Sequence, residues 1–322
     1  MSTLATPRQA ATTASPKRLL VRHPVVAFYL LAFAGSWLAW LPLVLDGFGL
    51  LPFGVPRALV MILGTFAGPA LSALVMTAVT EGRPGVRQLL QSYVQYRVGI
   101  RWYLIVIFWN PIVLLLTASA VLAVSPLSLL PRMWPLILSV YLPAIVEILV
   151  VGQLWEQVGW RGFALPRLQR KYGPLAASFI VGALVVLWHL PGFFFVNGIR
   201  EGRVDWTIPL FLQIFVPTLL AGTLGSTMYT WIYNNTHGSL FIIILFHTLL
   251  NASNRVFFRL IPDAIELVIV AALVPMLVIS VGLIVLTRGR FGYRRMESPS
   301  PDQTNIWRTQ HEDDKVEEQP AS

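Results

Sequence analysis

The stretch Glu156-Gln157-Val158-Gly159-Trp160-Arg161-Gly162 is the part of the sequence from which the fold and the function are best approached. It lies near the end of a long apolar run that begins around Met133, and it puts a carboxylate and a guanidinium at the edge of that run. A charge near hydrocarbon is costly unless it is paired or hydrated, so such groups in membrane segments indicate function. Two other apolar segments carry one histidine each, His189 and His247. We expect the three segments to converge on one polar site inside a helix bundle.

The composition indicates an integral membrane protein. Of the 322 residues, 56% are hydrophobic and only 12% are charged, whereas a soluble domain carries about 25% charged residues. The sequence has no cysteine, which excludes a disulfide framework, a thiolate metal site and a cysteine nucleophile. The formal net charge of +9 is explained by Lys and Arg in cytoplasmic loops. We therefore predict contact with membrane lipids and no binding to nucleic acid.

Apolar runs of about 20 residues can span a bilayer as helices, and the chain contains eight candidates. They cover residues 24–45, 57–79, 101–124, 133–156, 174–196, 207–233, 238–254 and 265–287. The segment 81–100 mixes arginine with Leu, Val and Tyr, which predicts an amphipathic helix lying on the membrane surface. The predicted fold class is therefore all-α, a polytopic membrane helix bundle of about eight transmembrane helices with a surface amphipathic helix.

The charge distribution predicts the domain organisation and the topology. A membrane-embedded domain covers residues 23–287, with its core motifs within 133–255. A disordered basic N-terminal arm, residues 1–22, precedes it, and a disordered C-terminal tail, residues 288–322, follows it. With the N-terminus inside, most Lys and Arg residues fall on the cytoplasmic side. We therefore expect a multi-pass plasma-membrane protein with both termini in the cytoplasm.

Four polar residues on three predicted helices are candidates for a hydrolytic site: Glu156, His189, His247 and Asn251. His247 and Asn251 are four residues apart and therefore share one helix face. Alone, such a pair could equally form hydrogen bonds that hold two membrane helices together. His189 precedes Pro191, which should end or kink its helix, and on its own it could be a packed, hydrogen-bonded histidine.

Two further residues are predicted to support the site. Arg161 lies four residues after Gln157, so the two should share a helix face and hydrogen-bond each other. Glu156 points about 100° away from Gln157 around the helix, free to face the two histidines. The alternative is that Glu156 belongs to a charge network at the membrane edge. Glu147, earlier in the same run, is predicted to be structural and to hydrogen-bond a neighbouring helix near Asn110.

One carboxylate and two imidazoles can hydrolyse a peptide bond in two ways. Glu156, His189 and His247 could bind a divalent metal such as zinc with an open position for water, the His₂Glu pattern of zinc peptidases. Alternatively, Glu156 is a general base on a water that His189 positions. His247 and Asn251 then donate hydrogen bonds to the oxyanion. The H-E-x-x-H spacing of soluble zinc proteases is absent, and the residues leave both mechanisms open.

Taken together, the three motifs resemble a known family. They are Glu156-x-x-x-x-Arg161 within EQVGWRGFALPRLQ, His189 within LWHLP, and His247-x-x-x-Asn251 within LFHTLLN. In order and spacing they are similar to the CAAX-protease and bacteriocin-processing family of intramembrane endopeptidases, also called CPBP or Abi. The resemblance extends over about residues 80–255.

The resemblance implies an eight-helix membrane endopeptidase that acts on a peptide or protein, which could be prenylated. It also implies that Glu156 and His189 activate the water and that His247 and Asn251 stabilise the oxyanion. The family is glutamate-dependent or metal-dependent. Its motif usually begins with two adjacent glutamates, and Gln157 stands at the second position here. A neutral glutamine should weaken the hydrogen bond to Arg161 by about 1 kcal/mol.

Two classes of function follow from these expectations. The first is an intramembrane endopeptidase of the CAAX type or one that processes other peptides. The second is a catalytically inactive membrane protein of the same fold, acting in self-immunity or as a scaffold. A small-molecule transporter would also carry polar groups near the bilayer midplane, but the sequence shows no internal repeat to support it.

Overall fold

A computed structural model of the chain describes residues 16–195, 208–260 and 265–294. These residues form α-helices and π-helical turns and contain no strand, which confirms the predicted all-α class. The described residues up to Gly292 belong to one compact unit, and Tyr293 and Arg294 belong to another.

The α-helices are numbered in chain order. They are α1 Pro16–Arg22, α2 Pro24–Gly47, α3 Arg57–Thr65, α4 Leu71–Tyr93, α5 Ile100–Leu122, α6 Pro126–Leu136, α7 Leu142–Ile148, α8 Leu154–Gln157, α9 Leu165–Trp188, α10 Leu190–Phe195, α11 Ile208–Asn235, α12 Leu240–Leu260 and α13 Ile265–Thr287. The π-helical turns within the described ranges are Phe66–Ala70, Ile137–Tyr141, Leu149–Gln153 and Val158–Ala164. Such turns are rare in proteins and occur frequently at functional sites.

The described helices include 6 runs that are long and apolar enough to cross a membrane. One of them, Pro126–Trp188, has 63 residues. It would be about 95 Å long if it were straight, about three times the thickness of the hydrocarbon core. Instead it kinks at Gly173, whose φ of 79° favours glycine. Leu273–Thr287, which is part of α13, is a further apolar helical stretch. The polytopic bundle is therefore confirmed, and the count of eight stays a prediction.

The predicted surface helix over residues 81–100 is shorter than expected. A kink at Gly82, with φ 68°, separates it from the rest of α4, and residues 94–99 are not helical. Leu89 packs in the core whereas Arg87 is exposed, so this part of α4 has an apolar and a basic side. That is the pattern of a helix at a membrane surface.

The predicted terminal regions are described only in part. Residues 16–22, which were assigned to the disordered N-terminal arm, form helix α1. Residues 1–15 of the arm and residues 295–322 of the tail lie outside the described residues. The boundaries of the arm, the membrane domain and the tail therefore stay predictions.

Aromatic packing anchors the end of α9, beside His189. Trp160 and Trp188 are both fully buried and contact each other edge to face, with 5.3 Å between ring centroids. From α2, Ser36 accepts a hydrogen bond of 2.7 Å from the Trp188 indole, and the Trp37 indole donates to the Trp188 carbonyl at 2.9 Å. Helix α2 thereby holds the backbone from which His189 projects.

A glycine lets the π-helical turn Val158–Ala164 lie against the turn Phe66–Ala70. A Cβ atom at Gly159 would come within 2.6 Å of Cβ and 2.8 Å of the carbonyl oxygen of Pro69. No residue larger than glycine fits there without moving the backbone. Small residues permit the same close approach in membrane bundles generally.

Candidate active site

Glu156 lies in α8, a short α-helical segment with a π-helical turn on either side. The residue is 5% exposed, and its Oε2 has no hydrogen-bond partner among the described residues. A Cβ atom at Gly152 would come within 3.0 Å of Oε1, so the carboxylate lies close over a position without a side chain. A buried carboxylate is costly unless it receives hydrogen bonds, so Oε2 is an acceptor that the described residues leave unpaired.

Gln157 is fully buried, and the prediction that it hydrogen-bonds Arg161 is wrong. Its amide nitrogen donates instead to Oε1 of Gln153 at 3.0 Å and to Nδ1 of His247 at 2.6 Å. Spacing misled the prediction because Val158–Ala164 is π-helical. Its i→i+5 hydrogen bonds make a wider turn, so residues four apart no longer stack on one face.

The contact with Gln157 favours one tautomer of His247. An amide nitrogen only donates, so Nδ1 of His247 is the acceptor, and the proton of the neutral ring is on Nε2. His247 can therefore donate a hydrogen bond from Nε2, as an oxyanion-stabilising group must. The ring also packs edge to face with Tyr229, with 5.3 Å between centroids.

His189 has the opposite tautomer. Helix α9 ends at Trp188 and α10 begins at Leu190, so the predicted helix end beside Pro191 is confirmed. Nδ1 of His189 lies 2.7 Å from the carbonyl oxygen of Val185. Because a carbonyl only accepts, Nδ1 carries the proton and Nε2 keeps its lone pair. Nε2 can therefore accept a hydrogen bond from water.

One cavity of about 490 Å³ brings the predicted segments together. It is lined by Arg161, His189, His247 and Asn251, among other residues. Glu156 does not line the cavity, but it lies within electrostatic range of both His189 and Arg161. Arg161, His189 and His247, from three stretches that are far apart in the sequence, thus line one cavity.

Arg161 is buried, with 3% of its surface exposed. Its guanidinium carbon lies 4.3 Å from the ring centroid of Tyr229, a cation–π contact. Nε and Nη1 have no hydrogen-bond acceptor in the described part of the chain. The guanidinium is therefore held in place by a ring face and keeps unused donors.

Glu147 bonds a neighbouring helix, as predicted, but its partner is different from the one expected. Oε2 and Oε1 accept hydrogen bonds of 2.6 and 2.9 Å from the guanidinium of Arg255 on α12. Asn110 donates instead to the carbonyl oxygen of Leu250 at 3.0 Å. Pairing of residues this far apart depends on helix packing, which spacing rules do not describe.

Two residues at the site were not singled out from the sequence. Gln153 lies four residues before Gln157, and this spacing could have identified it. Tyr229 of α11 contacts both Arg161 and His247. No short-range pattern could have linked Tyr229 to residues on other helices.

The predicted metal ligands do not form a ready-made site. Among the described residues there is no group of three or more His, Cys, Asp or Glu side chains arranged to hold a metal ion. In addition, Nδ1 of His247 is already engaged by Gln157. We therefore derive no step through a metal, and zinc binding by Glu156, His189 and His247 stays a prediction.

Fold and site together define a class: a polytopic helical membrane protein in which two imidazoles line one cavity and a buried carboxylate lies nearby. A family model described as Type II CAAX prenyl endopeptidase Rce1-like matches residues 131–253. The matched segment contains Glu156, His189, His247 and Asn251. The resemblance inferred from the motifs is therefore confirmed.

A curated relative of this chain is also named as a CAAX protease. CAAX prenyl protease 2 of Methanococcus maripaludis is 29% identical over 111 residues, which are 34% of this chain and 40% of that protein. The aligned region therefore spans less than half of the relative. The activity of the whole protein is therefore a proposal.

Proposed function

We propose that this chain is an intramembrane endopeptidase that hydrolyses a peptide bond with a water activated by Glu156 and His189. The observation that carries the proposal is that two imidazoles line one cavity and make contrasting Nδ1 contacts, His189 with a carbonyl oxygen and His247 with an amide nitrogen. In neutral rings, these contacts favour a lone pair at Nε2 of His189 and a proton at Nε2 of His247. One imidazole can orient a water while the other stabilises the negative charge that develops on the substrate.

The proposed reaction needs only groups of this chain. Glu156 takes a proton from the water that His189 orients, and the water oxygen bonds to the carbonyl carbon. The carbonyl electron pair moves to its oxygen, which accepts hydrogen bonds from His247 and Asn251. Glu156 then gives its proton to the amide nitrogen as the C–N bond breaks, so the carboxylate is regenerated.

The proposed substrate is a peptide or protein that ends in a CAAX sequence and is prenylated. The name of the archaeal relative supports this class, and so do apolar residues of the cavity wall such as Leu114, Val186 and Met276. Processing of another peptide is the nearest variant. We place the protein in the plasma membrane, in contact with lipids and with both termini cytoplasmic, because most Lys and Arg residues then face the cytoplasm.

The test is Glu156→Gln in purified protein reconstituted in liposomes with a farnesylated peptide. Loss of the general base should lower kcat/KM by about 10²–10⁴-fold while the thermal unfolding temperature is unchanged. Glu147→Gln is the matched control, since it neutralises an acid in the same apolar run that pairs with Arg255 instead. Full activity of Glu156→Gln would show that the proposal is wrong.

A catalytically inactive immunity or scaffold protein of the same fold is the second candidate. It is favoured by Gln157, which stands where the family usually has a glutamate. This candidate predicts no cleavage by the wild-type protein and an unchanged cellular phenotype in Glu156→Gln.

A further inference from the structure

A second cavity, of about 860 Å³, is walled by residues of α2 and α9, with contributions from α1 and α4. None of the residues that line it also lines the cavity of His189 and His247. Its volume lies within the range of ligand-binding clefts, about 300–1,000 Å³. One end of its wall is basic and the other is apolar, so the two ends suit different parts of one amphipathic molecule.

The basic end carries more positive charge than its acid can neutralise. Among the described residues of the wall, four cationic side chains stand against one carboxylate, that of Glu81. Glu81 pairs with Arg167. Arg170 and Lys171 follow Arg167 by three and four residues in α9 and therefore share its helix face. Together with Arg22 they are exposed, and none of these three cations forms an ion pair with a described side chain.

The apolar end follows two helices away from these charges. On α2, Val26, Leu30 and Phe33 recur at intervals of four and three residues and therefore share a helix face. On α9, Ile180 and Leu184 are four residues apart and lie beyond the kink of that helix. Phe33 is nine residues beyond the start of α2, about 14 Å along the axis. That is close to half of a hydrocarbon core of about 30 Å, so the wall reaches as deep as one leaflet.

We propose that this cavity binds one anionic glycerophospholipid, with its phosphate at the basic end and an acyl chain along the apolar end. Arginine binds phosphate through parallel N–H···O hydrogen bonds, and lysine adds a point charge. With both termini cytoplasmic, as proposed, the basic end lies at the cytoplasmic surface, where anionic lipids carry the negative charge. The site goes beyond peptide hydrolysis and does not depend on it.

Two features separate this site from the lipid contact that every membrane helix makes. Exposed apolar side chains alone would meet any lipid, whereas unneutralised cations at the rim of a concave wall select an anionic headgroup. Basic pockets between membrane helices bind such headgroups. A soluble phosphate would contact the basic end only, and the apolar wall therefore favours a lipid as the occupant.

Native mass spectrometry of the purified full chain, released from detergent micelles, tests the proposal with two probes. Phosphatidylglycerol is anionic, and phosphatidylcholine with the same acyl chains has no net charge. The wild type should bind one phosphatidylglycerol molecule at least about tenfold more tightly than phosphatidylcholine, because only the former gains from the unpaired cations. Equal dissociation constants for the two lipids overturn the proposal.

A double variant assigns the preference to this cavity. Arg170→Gln with Lys171→Gln should raise the dissociation constant for phosphatidylglycerol about 30-fold, since each basic residue near an anionic lipid contributes about a factor of five. Arg288→Gln with Arg290→Gln is the matched control, because it removes two exposed cations that do not line the cavity. The control should bind like the wild type. A preference that survives the first double variant, or equal losses in both, contradicts the assignment.

Photochemical cross-linking locates the lipid on the wild type, and so it decides even if the double variant does not fold. Phosphatidylglycerol with a diazirine in its acyl chain, photolysed in nanodiscs, should label Leu30, Phe33 or Leu184. Labelling confined to other helices overturns the site. Soluble glycerol phosphate has the same phosphate and no acyl chain, and at equal concentration it should not displace the lipid. Displacement would assign the cavity to a soluble anion and overturn the proposal.

Discussion

The amide nitrogen of Gln157 lies 2.6 Å from Nδ1 of His247. A carboxylate at residue 157 would accept a hydrogen bond from Nδ1–H, and the neutral ring would then have no proton on Nε2. The glutamine donates instead, so Nε2 keeps its proton. In this chain the residue that departs from the family motif therefore supports the donor role proposed for His247.

Replacing Gln157 by leucine should weaken the site without unfolding the protein. The variant loses the hydrogen bond that selects the Nε2–H tautomer of His247, so kcat/KM should fall about tenfold, as expected for one hydrogen bond of about 1.4 kcal/mol. The ¹⁵N chemical shifts of His247 should show a growing Nδ1–H population. An unaltered tautomer and an unaltered rate together would contradict the proposed role of Gln157.

Gly152→Ala should displace the proposed general base. The added methyl group would lie 3.0 Å from Oε1 of Glu156, so the carboxylate has to shift, and misplacement by about 1 Å can cost about 10²-fold in rate. We expect kcat/KM to fall at least about tenfold with little change in the unfolding temperature. Gly282→Ala is the control, because nothing lies within 4 Å of a Cβ atom there, and it should be fully active.

The pair Glu147–Arg255 should contribute to stability but not to the reaction. Glu147→Gln breaks a two-point contact of 2.6 and 2.9 Å. The free energy of unfolding should fall by about 1 kcal/mol, the scale of partly exposed ion pairs. Thermal unfolding in detergent measures the loss, and kcat/KM should stay the same. Exchanging the two residues in a double variant, Glu147→Arg with Arg255→Glu, should restore much of the stability. A loss of activity in Glu147→Gln would contradict the prediction and assign Glu147 to the reaction.

Activity should withstand metal chelation. The proposed water activation uses Glu156 and His189 and no metal ligand set, so pre-incubation with EDTA or 1,10-phenanthroline should leave kcat/KM unchanged. Metal analysis of the same active preparation checks the result. Inactivation that added zinc reverses would instead support the metal mechanism with Glu156, His189 and His247 as ligands.

The amino-acid sequence by itself determined that the chain belongs in a lipid membrane and that it is helical. It also determined most of the chemical groups at the candidate site. Long apolar runs must become helices in lipid because each backbone N–H and C=O has to be bonded within its own segment. His189, His247 and Asn251 could be identified because each is a polar residue in such a run, and their common cavity agrees with that expectation.

Only the tertiary structure decided how these groups are oriented. The π-helical turn after Gln157 directs that side chain away from Arg161 and towards a histidine 90 residues away. The contacts of Tyr229 with Arg161 and of Glu147 with Arg255 likewise join different helices. Helical spacing describes neighbours within a few residues of each other, whereas contacts between helices depend on packing, and so the partners of Arg161 and His247 could not be predicted from the order of residues.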